Sequence, residues 1–381
     1  MRATVAKRRP AGAGRSPRGL PGYPGQVVLV LQGGGALGAY QGGVYEALHD
    51  AGVEPHWVIG TSIGAVNGAL IAGNLPQHRV ARLTDFWRRV EIEVPDSGSP
   101  DWLGLGHFWA NLRTVSTGIP GFFAPNPAAL LGTQVNVGVE RASYYCTQAL
   151  RTTLAELIDF ESLTAQAPRL TVGAVNVQSG ALHYFDTRAT ALGVEHIMAS
   201  GALPPAFPAI RVAEGCYWDG GVYSNTPIEV VLNSNPRRDS LIFAVNVWHQ
   251  SGPLPETIAQ VLGRQKDIQY ASRADSHIAN EKQIHHLRHV IRKLYAEIPS
   301  ARRDDPDVRA LGAWGCSTTM HVAHLLAPRL AGEDETKDID FTSTGVATRW
   351  HAGYADTERM LAAAPWDAPF DPLAGIIEHR L

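Results

Sequence analysis

The apolar positions of this chain fall into short solid runs in its first half and into helical stripes later. Gln26-Val-Val-Leu-Val-Leu31 is apolar at every position after the first, the pattern of a strand buried on both faces of a parallel sheet. It runs into a glycine cluster, after which Tyr40 to Ala51 predicts a helix stopped at Gly52. His56-Trp-Val-Ile59 predicts a second strand, Ser62 falls at the following turn, and Ile63 to Ala72 predicts a helix of small residues ending near Gly73. Strand, turn, helix, strand, turn, helix is a βαβα opening, which implies a parallel sheet with right-handed crossovers.

The middle of the chain is less regular. Arg79 to Val90 predicts a helix, and residues 95–135, rich in Pro, Gly, Asn and Trp, predict a long loop region suited to a rim or lid over a site. Tyr144 to Leu163 contains helix-like pieces. Arg169 to Val172 and Ala181 to Tyr184 predict two strands of a hairpin, Val194 to Ser200 a short helix, and Leu241 to Val247 another buried strand. From about residue 254 the character changes. Ile284, Leu287, Ile291, Leu294 and Ile298 recur at spacings of three and four, the stripe of an amphipathic helix whose apolar side packs on a core, with a membrane-binding or dimer face as the alternative. Met320 to Leu326 alternates weakly, as one more strand, and Gly345 to Ala363 predicts a closing helix.

Composition refines this picture in two places. The chain has 381 residues, 45% of them hydrophobic and 18% charged, an ordinary globular balance. Six of its 33 basic residues lie in 1–26 with no acid beside them, so the remaining body holds 27 basic against 36 acidic residues, a net charge of −9. An acidic body argues against nucleic-acid binding, which needs a basic face to displace counterions. Residues 1–26, rich in Gly, Pro and Arg, read as a disordered basic tail, able to add weak peripheral attraction to anionic lipid. The tail lacks the apolar core of a signal peptide, and nowhere does an apolar run reach membrane-spanning length. Cys146, Cys216 and Cys316 are few and scattered, which predicts neither a disulfide framework nor a zinc site and fits a reducing, cytoplasmic setting. The expected organisation is the tail, a main α/β domain over 27–247, and a mostly helical extension over 248–381 packed on the same core.

The chemistry concentrates in three glycine-bearing motifs. Gly60-Thr61-Ser62-Ile63-Gly64 is G-x-S-x-G between a strand and a helix, a nucleophile elbow in which the sharp turn exposes the serine hydroxyl. Gly60 and Gly64 are required where a Cβ would clash across so tight a turn. Gly33-Gly34-Gly35-Ala36-Leu37-Gly38 fits G-x-G-x-x-G and leaves two readings. One is a dinucleotide fingerprint, which expects an acid at the end of the second strand; here that strand ends in Ile59-Gly60-Thr61-Ser62. The other is a nest of backbone N–H groups converging on an oxyanion. Asp219-Gly220-Gly221 offers a carboxylate at a tight turn after an apolar segment. To serve Ser62 as base, that carboxylate must be partly desolvated and close to it. His49, His56 and His78 read as surface or packing residues. His285, His286, His289, His321 and His324 could suggest metal, but His285 and His289 lack the acidic partner of a zinc helix, and a solvated face is the simpler reading. Trp102, Trp109, Phe122 and Phe123 fit either an acyl pocket or loop packing.

The three motifs in this order, with Ala199-Ser200-Gly201-Ala202-Leu203-Pro204 and Asn225-Thr226-Pro227 between and after them, resemble the patatin-like phospholipase family over roughly residues 27–247. The segment from Asp340-Phe341 to Gly353-Tyr354-Ala355-Asp356 resembles the C-terminal extension of a bacterial subgroup. The resemblance implies a three-layer α/β fold with a mainly parallel central sheet and a helical extension. It implies Ser62 as nucleophile, Asp219 as base, the amides of Gly33, Gly34 and Gly35 as oxyanion hole, and Gly38, Gly60, Gly64, Gly220 and Gly221 as motif glycines. The implied partner is a lipid or acyl-ester substrate, with no metal or organic cofactor and no nucleic acid; oligomeric state is left open. Many members carry Arg or Lys where Leu37 stands, so the resemblance also predicts altered handling of anionic head groups. A soluble carboxylesterase or thioesterase, or a binding protein without turnover, are the alternatives.

Overall fold

The structure, a computed structural model, describes residue 20 and residues 23–92, 116–165, 168–271, 274–330 and 333–381. Most of the basic tail, and the stretch 93–115 with Trp102 and Trp109, lie outside the described residues. The strands are β1 (Gln26–Leu31), β2 (Trp57–Gly60), β3 (Ala124–Pro125), β4 (Tyr145–Cys146), β5 (Arg169–Asn176), β6 (Leu182–Asp186), β7 (Ile210–Val212), β8 (Gly215–Asp219), β9 (Ser240–Asn246), β10 (Met320–Leu326) and β11 (Ile376–His379). The main sheet runs β11-β10-β9-β1-β2-β5-β8-β7, with β6 also paired to β5. From β11 to β5 every neighbour is parallel; β6, β7 and β8 form an antiparallel margin.

Alternation along the strands feeds two cores, one on each face. Val27, Leu29 and Leu31 of β1, with Leu241, Phe243 and Val245 of β9, enter one core. Val28 and Val30, with Ile242 and Ala244, enter the other. The first is covered by helices α1 (Ala39–Asp50), α2 (Ile63–Ala72) and α3 (Pro76–Val90). Every residue of α2 is buried, and small residues let it lie close to the sheet: a Cβ on Gly68 would sit 3.1 Å from Val58 and 3.2 Å from Leu170. Further along come α4 (Gln148–Leu157), α5 (Val194–Ser200), α6 (Ile258–Ala271), α7 (Ala274–Glu297) and α8 (Ser343–Ala363), besides Pro306–Gly312 and one-turn helices. This is the expected α/β fold with a mainly parallel central sheet.

The region beyond residue 248 contributes to the sheet as well as to its covering layers. It supplies β10 and β11 as edge-ward parallel strands, and β11 follows the helix that the sequence reads as closing. Helix α8 docks on α1: Trp350 occupies the space where Gly42 and Gly43 lack side chains, Gly353 meets the Tyr40 backbone, and the Tyr40 hydroxyl donates to Asp356 at 2.8 Å. The Gly353–Asp356 segment is therefore a packing surface.

Helix α7 corrects the sequence reading. Its apolar stripe does not face the core: Ile284, Leu287 and Leu294 are 40%, 59% and 63% exposed. The buried residues are Ile278, Glu281, His285 and His289, a second stripe with the same three-four spacing. His285 and His289, expected on a solvated face, are held by carbonyls, His285 by that of Leu232 at 3.2 Å and His289 by those of Thr318 and Pro372 at 2.9 and 3.1 Å. Among the described residues no helix is long and apolar enough to cross a membrane.

Candidate active site

β1 and β2 lie side by side and parallel, and both motif turns leave their carboxyl ends. After β2 the chain turns sharply into α2. Ser62 caps that helix with φ 57° and ψ −126°, a left-handed backbone that a non-glycine residue holds only under strain. Two glycines make the turn sterically feasible. A Cβ on Gly60 would collide with the Gly64 carbonyl, and one on Gly64 with that of Leu31. The turn is fixed from outside by Ser200 at the end of α5: the Ser62 amide donates to both the carbonyl and the hydroxyl of Ser200 at 3.1 Å, and that hydroxyl donates to the Gly173 carbonyl at 2.7 Å.

Asp219 ends β8, next to β5. Its side chain accepts the Gly221 amide at 2.7 Å, and it shares the cavity wall with Ser62, whose hydroxyl favours the ionised carboxylate. The residue is 1% exposed. Burial pushes its carboxyl up to about 7, while the Ser62 hydroxyl and the Gly221 amide pull the other way; desolvation wins because no cation among the described residues offsets the loss of water. Gly220 and Gly221 are closely packed, against the Gly173 carbonyl and against Asn225 and Asp219. A side chain on Gly38 would strike Ile63.

The glycine loop arches beside this pair. Gly33 is pressed against Ser62 and Asn225, so that a Cβ there would lie 2.9 Å from the Ser62 Cβ. Its amide is occupied, donating to the Asn225 carbonyl at 3.1 Å, and its carbonyl accepts from the Asn225 amide group at 3.0 Å and from Trp248 Nε1 at 2.8 Å. The Ala36 amide donates to the Asp338 carbonyl at 2.8 Å. The amides of Gly34 and Gly35 have no acceptor among the described residues. Of the three glycines expected to donate to an oxyanion, two have donors to spare; Gly33 serves by lacking a side chain.

These groups open on a cavity of about 220 Å³. Its walls are mainly apolar: Ile63, Val66 and Leu150 on one side, and Phe122, Phe123, Tyr145, Phe207 and Phe341 as an aromatic cluster on another. Phe122 and Phe123 thus line the cavity. No histidine does among the described residues. His49 instead bonds Glu54 and His56 accepts the Val27 amide. Leu37 does not line it either. It is 4% exposed and packs in the hydrophobic core, so the expected effect of a missing cation at this position on head-group handling is withdrawn. A larger cavity of about 550 Å³ lies beyond the carboxyl ends of β9 and β10. Its arginines are already paired, Arg359 with Asp356 and Arg380 with Asp275 and Glu378.

Sequence reasoning missed several residues that build the site. Ser200 and Asn225 stood in quoted motifs without a role. Trp248, Tyr270, Asp338 and Ile339 carried no local signal, because they reach the site only through tertiary packing.

A family model described as patatin-like phospholipase matches residues 29–232, and a second, described as patatin phospholipase, matches residues 268–373. A lysophospholipase, nte1, of Aspergillus terreus is 59% identical over 46 residues, which is 12% of this chain and 3% of that protein. The chain therefore matches only a small part of that curated relative's length. The crystal structure of VipD from Legionella pneumophila aligns with 89% of this chain and 67% of its own, at 14% identity and a TM-score of 0.36. With the first model alone spanning more than half of it, the chain belongs to the patatin-like phospholipase family.

Proposed function

We propose that this protein hydrolyses carboxylic esters of lipids through Ser62 and Asp219 and a covalent acyl-enzyme. The observation that carries the reading is a strained serine on the same cavity wall as a buried carboxylate, beside two backbone amides with no acceptor among the described residues, all opening on an apolar cavity. Ser62 Oγ attacks the acyl carbonyl carbon while its proton passes to Asp219. The carbonyl oxygen takes the negative charge and is met by the Gly34 and Gly35 amides, with the positive end of α2 behind Ser62. Collapse breaks the ester bond, and the proton on Asp219 goes to the leaving alcohol oxygen. Water then attacks the acyl-enzyme, Asp219 takes its proton, and the fatty acid leaves as Ser62 is restored. The apolar walls hold the acyl chain and keep bulk water from Asp219.

A fluorophosphonate probe tests this directly, since it phosphonylates an activated serine. The wild type is expected to be labelled at Ser62 and to release fatty acid from a phospholipid or lysophospholipid. Ser62→Ala is expected to lose both while keeping its circular-dichroism spectrum. Ester hydrolysis by a folded Ser62→Ala protein would refute the serine mechanism.

A further inference from the structure

The glycine loop is held from outside the segment that carries Ser62 and Asp219. The Asp338 carbonyl accepts the Ala36 amide at 2.8 Å and fills the space where a Cβ on Gly35 would fall. Gly35 has φ +54°, so one carbonyl both fixes the residue after the two free amides and holds the loop in a conformation suited to glycine. The segment that presents this carbonyl, Lys337 to Phe341, is not a strand or a helix. Cations pin it. Lys266 of α6 donates to Asp338 Oδ1 at 2.7 Å and to the Glu335 carbonyl at 2.8 Å. Lys337 donates to Asp267 at 2.6 Å and lies 5.1 Å from the Trp248 ring centroid. Arg349 bonds the Asp340 carboxylate at 3.2 Å and the Lys337 carbonyl at 3.4 Å. Trp248 in turn holds the Gly33 carbonyl. Both ends of the glycine loop are thus tied to residues beyond 247.

We propose that Lys266 is a positioning residue for the ester hydrolysis: through its ion pair with Asp338 it keeps the 337–341 segment against the glycine loop and the Gly34 and Gly35 amides aimed at the developing oxyanion. The inference rests on the reading of those amides given above. Lys266 suits the role better than Lys337. Lys337 and its partner Asp267 are 7% and 8% exposed, so removing Lys337 leaves the buried Asp267 with only the longer pair to Arg329 at 3.7 Å and weakens the fold. Lys266 and Asp338 are 35% and 19% exposed, a partly exposed pair that adds less to overall stability than the buried one. Its loss is felt in the aim of the loop, and misplacement by about 1 Å costs as much as a hundredfold in rate.

The test compares wild type, Lys266→Met, Lys266→Arg and Asp338→Asn on one soluble ester, with fluorophosphonate labelling of Ser62 as a second readout. Lys266→Met and Asp338→Asn are each expected to lower kcat by about tenfold or more, with KM within about twofold and Tm little changed, and to slow labelling in parallel. Lys266→Arg is expected to recover most of the rate. Asp338→Asn separates positioning from plain electrostatics. Removing a carboxylate from the cavity wall would by charge alone favour an oxyanion, so an unchanged or faster variant overturns the proposal. So does a loss confined to KM, or a Lys266→Met enzyme as fast as wild type. If wild-type Ser62 is not labelled at all, the hydrolase reading fails and the inference with it; normal wild-type labelling with equal rates in the variants defeats the inference alone.

Discussion

Asp219 has conflicting demands placed on it. To take a proton from Ser62 it must be ionised, and its burial opposes ionisation, lifting its carboxyl from 3.8 to about 7. Two consequences follow from the same shift. As base in the proposed mechanism, Asp219 gives kcat/KM that rises with pH to a plateau with a midpoint near 7, where an ordinary carboxylate would give a midpoint near 4. A pH–rate profile on an ester without ionisable groups checks this, and a plateau already reached at pH 5 would mean that Asp219 is not the titrating base. The second consequence is for stability. Between about pH 4 and 7 the folded chain keeps a proton that the unfolded chain has released, so Asp219 makes the fold less stable as pH rises across that window, with the full cost present above it. Asp219→Asn keeps the acceptor for the Gly221 amide and removes the charge. It is expected to be inactive, and to melt above wild type at pH 8, by an amount on the order of 1–4 kcal/mol, with the difference vanishing near pH 4. Equal melting temperatures at pH 8 would count against a desolvated carboxylate.

Elements whose burial follows from their own sequence were legible, and those whose burial depends on a neighbour were not. β1 and α2 match the expected bounds because a solid β-branched run and a run of small residues each admit one placement. Ser62 and the glycines around it were visible for the same reason, since a tight turn dictates its residues locally. β11 was missed: Ile376-Ile-Glu-His379 is too short to show a period and becomes a strand only by pairing with β10. Helix α7 was found but faced wrongly, because two stripes of equal spacing compete. The polar one won by bonding the carbonyls of Leu232, Thr318 and Pro372 beside it, which an apolar side chain at those positions would strand. The two faces should therefore respond oppositely to substitution. Leu287→Gln is expected to change unfolding free energy by less than about 0.5 kcal/mol, as at other exposed positions. His289→Leu, which removes the imidazole N–H that lies between the Thr318 and Pro372 carbonyls, is expected to cost about 1–3 kcal/mol. Urea titrations of both variants decide it; a larger loss in Leu287→Gln would restore the apolar stripe as a core face.

At the scale of the whole molecule the site belongs to both family-matched segments. Gly34, Ser62 and Asp219 come from the first, and Tyr270, Asp338, Ile339 and Phe341 from the second, with Trp248 between them. What the second segment adds is mostly wall, and the wall sets how much acyl chain is enclosed. The cavity measures about 220 Å³. On the scale by which an apolar cavity of about 150 Å³ takes one benzene, that is room for roughly nine carbons. Carbons within the cavity are desolvated and raise kcat/KM, at about 0.8 kcal/mol for each buried CH₂ at most, whereas those beyond the mouth remain in water or lipid and add little. A series of p-nitrophenyl esters below their aggregation limits is therefore expected to gain steeply in kcat/KM from two carbons to about eight, then level off. Phe341→Ala, which opens the wall supplied by the second segment, should move the plateau to longer chains. A profile that climbs without a break to sixteen carbons, or falls already at four, would show that the enclosed volume does not govern acyl selection.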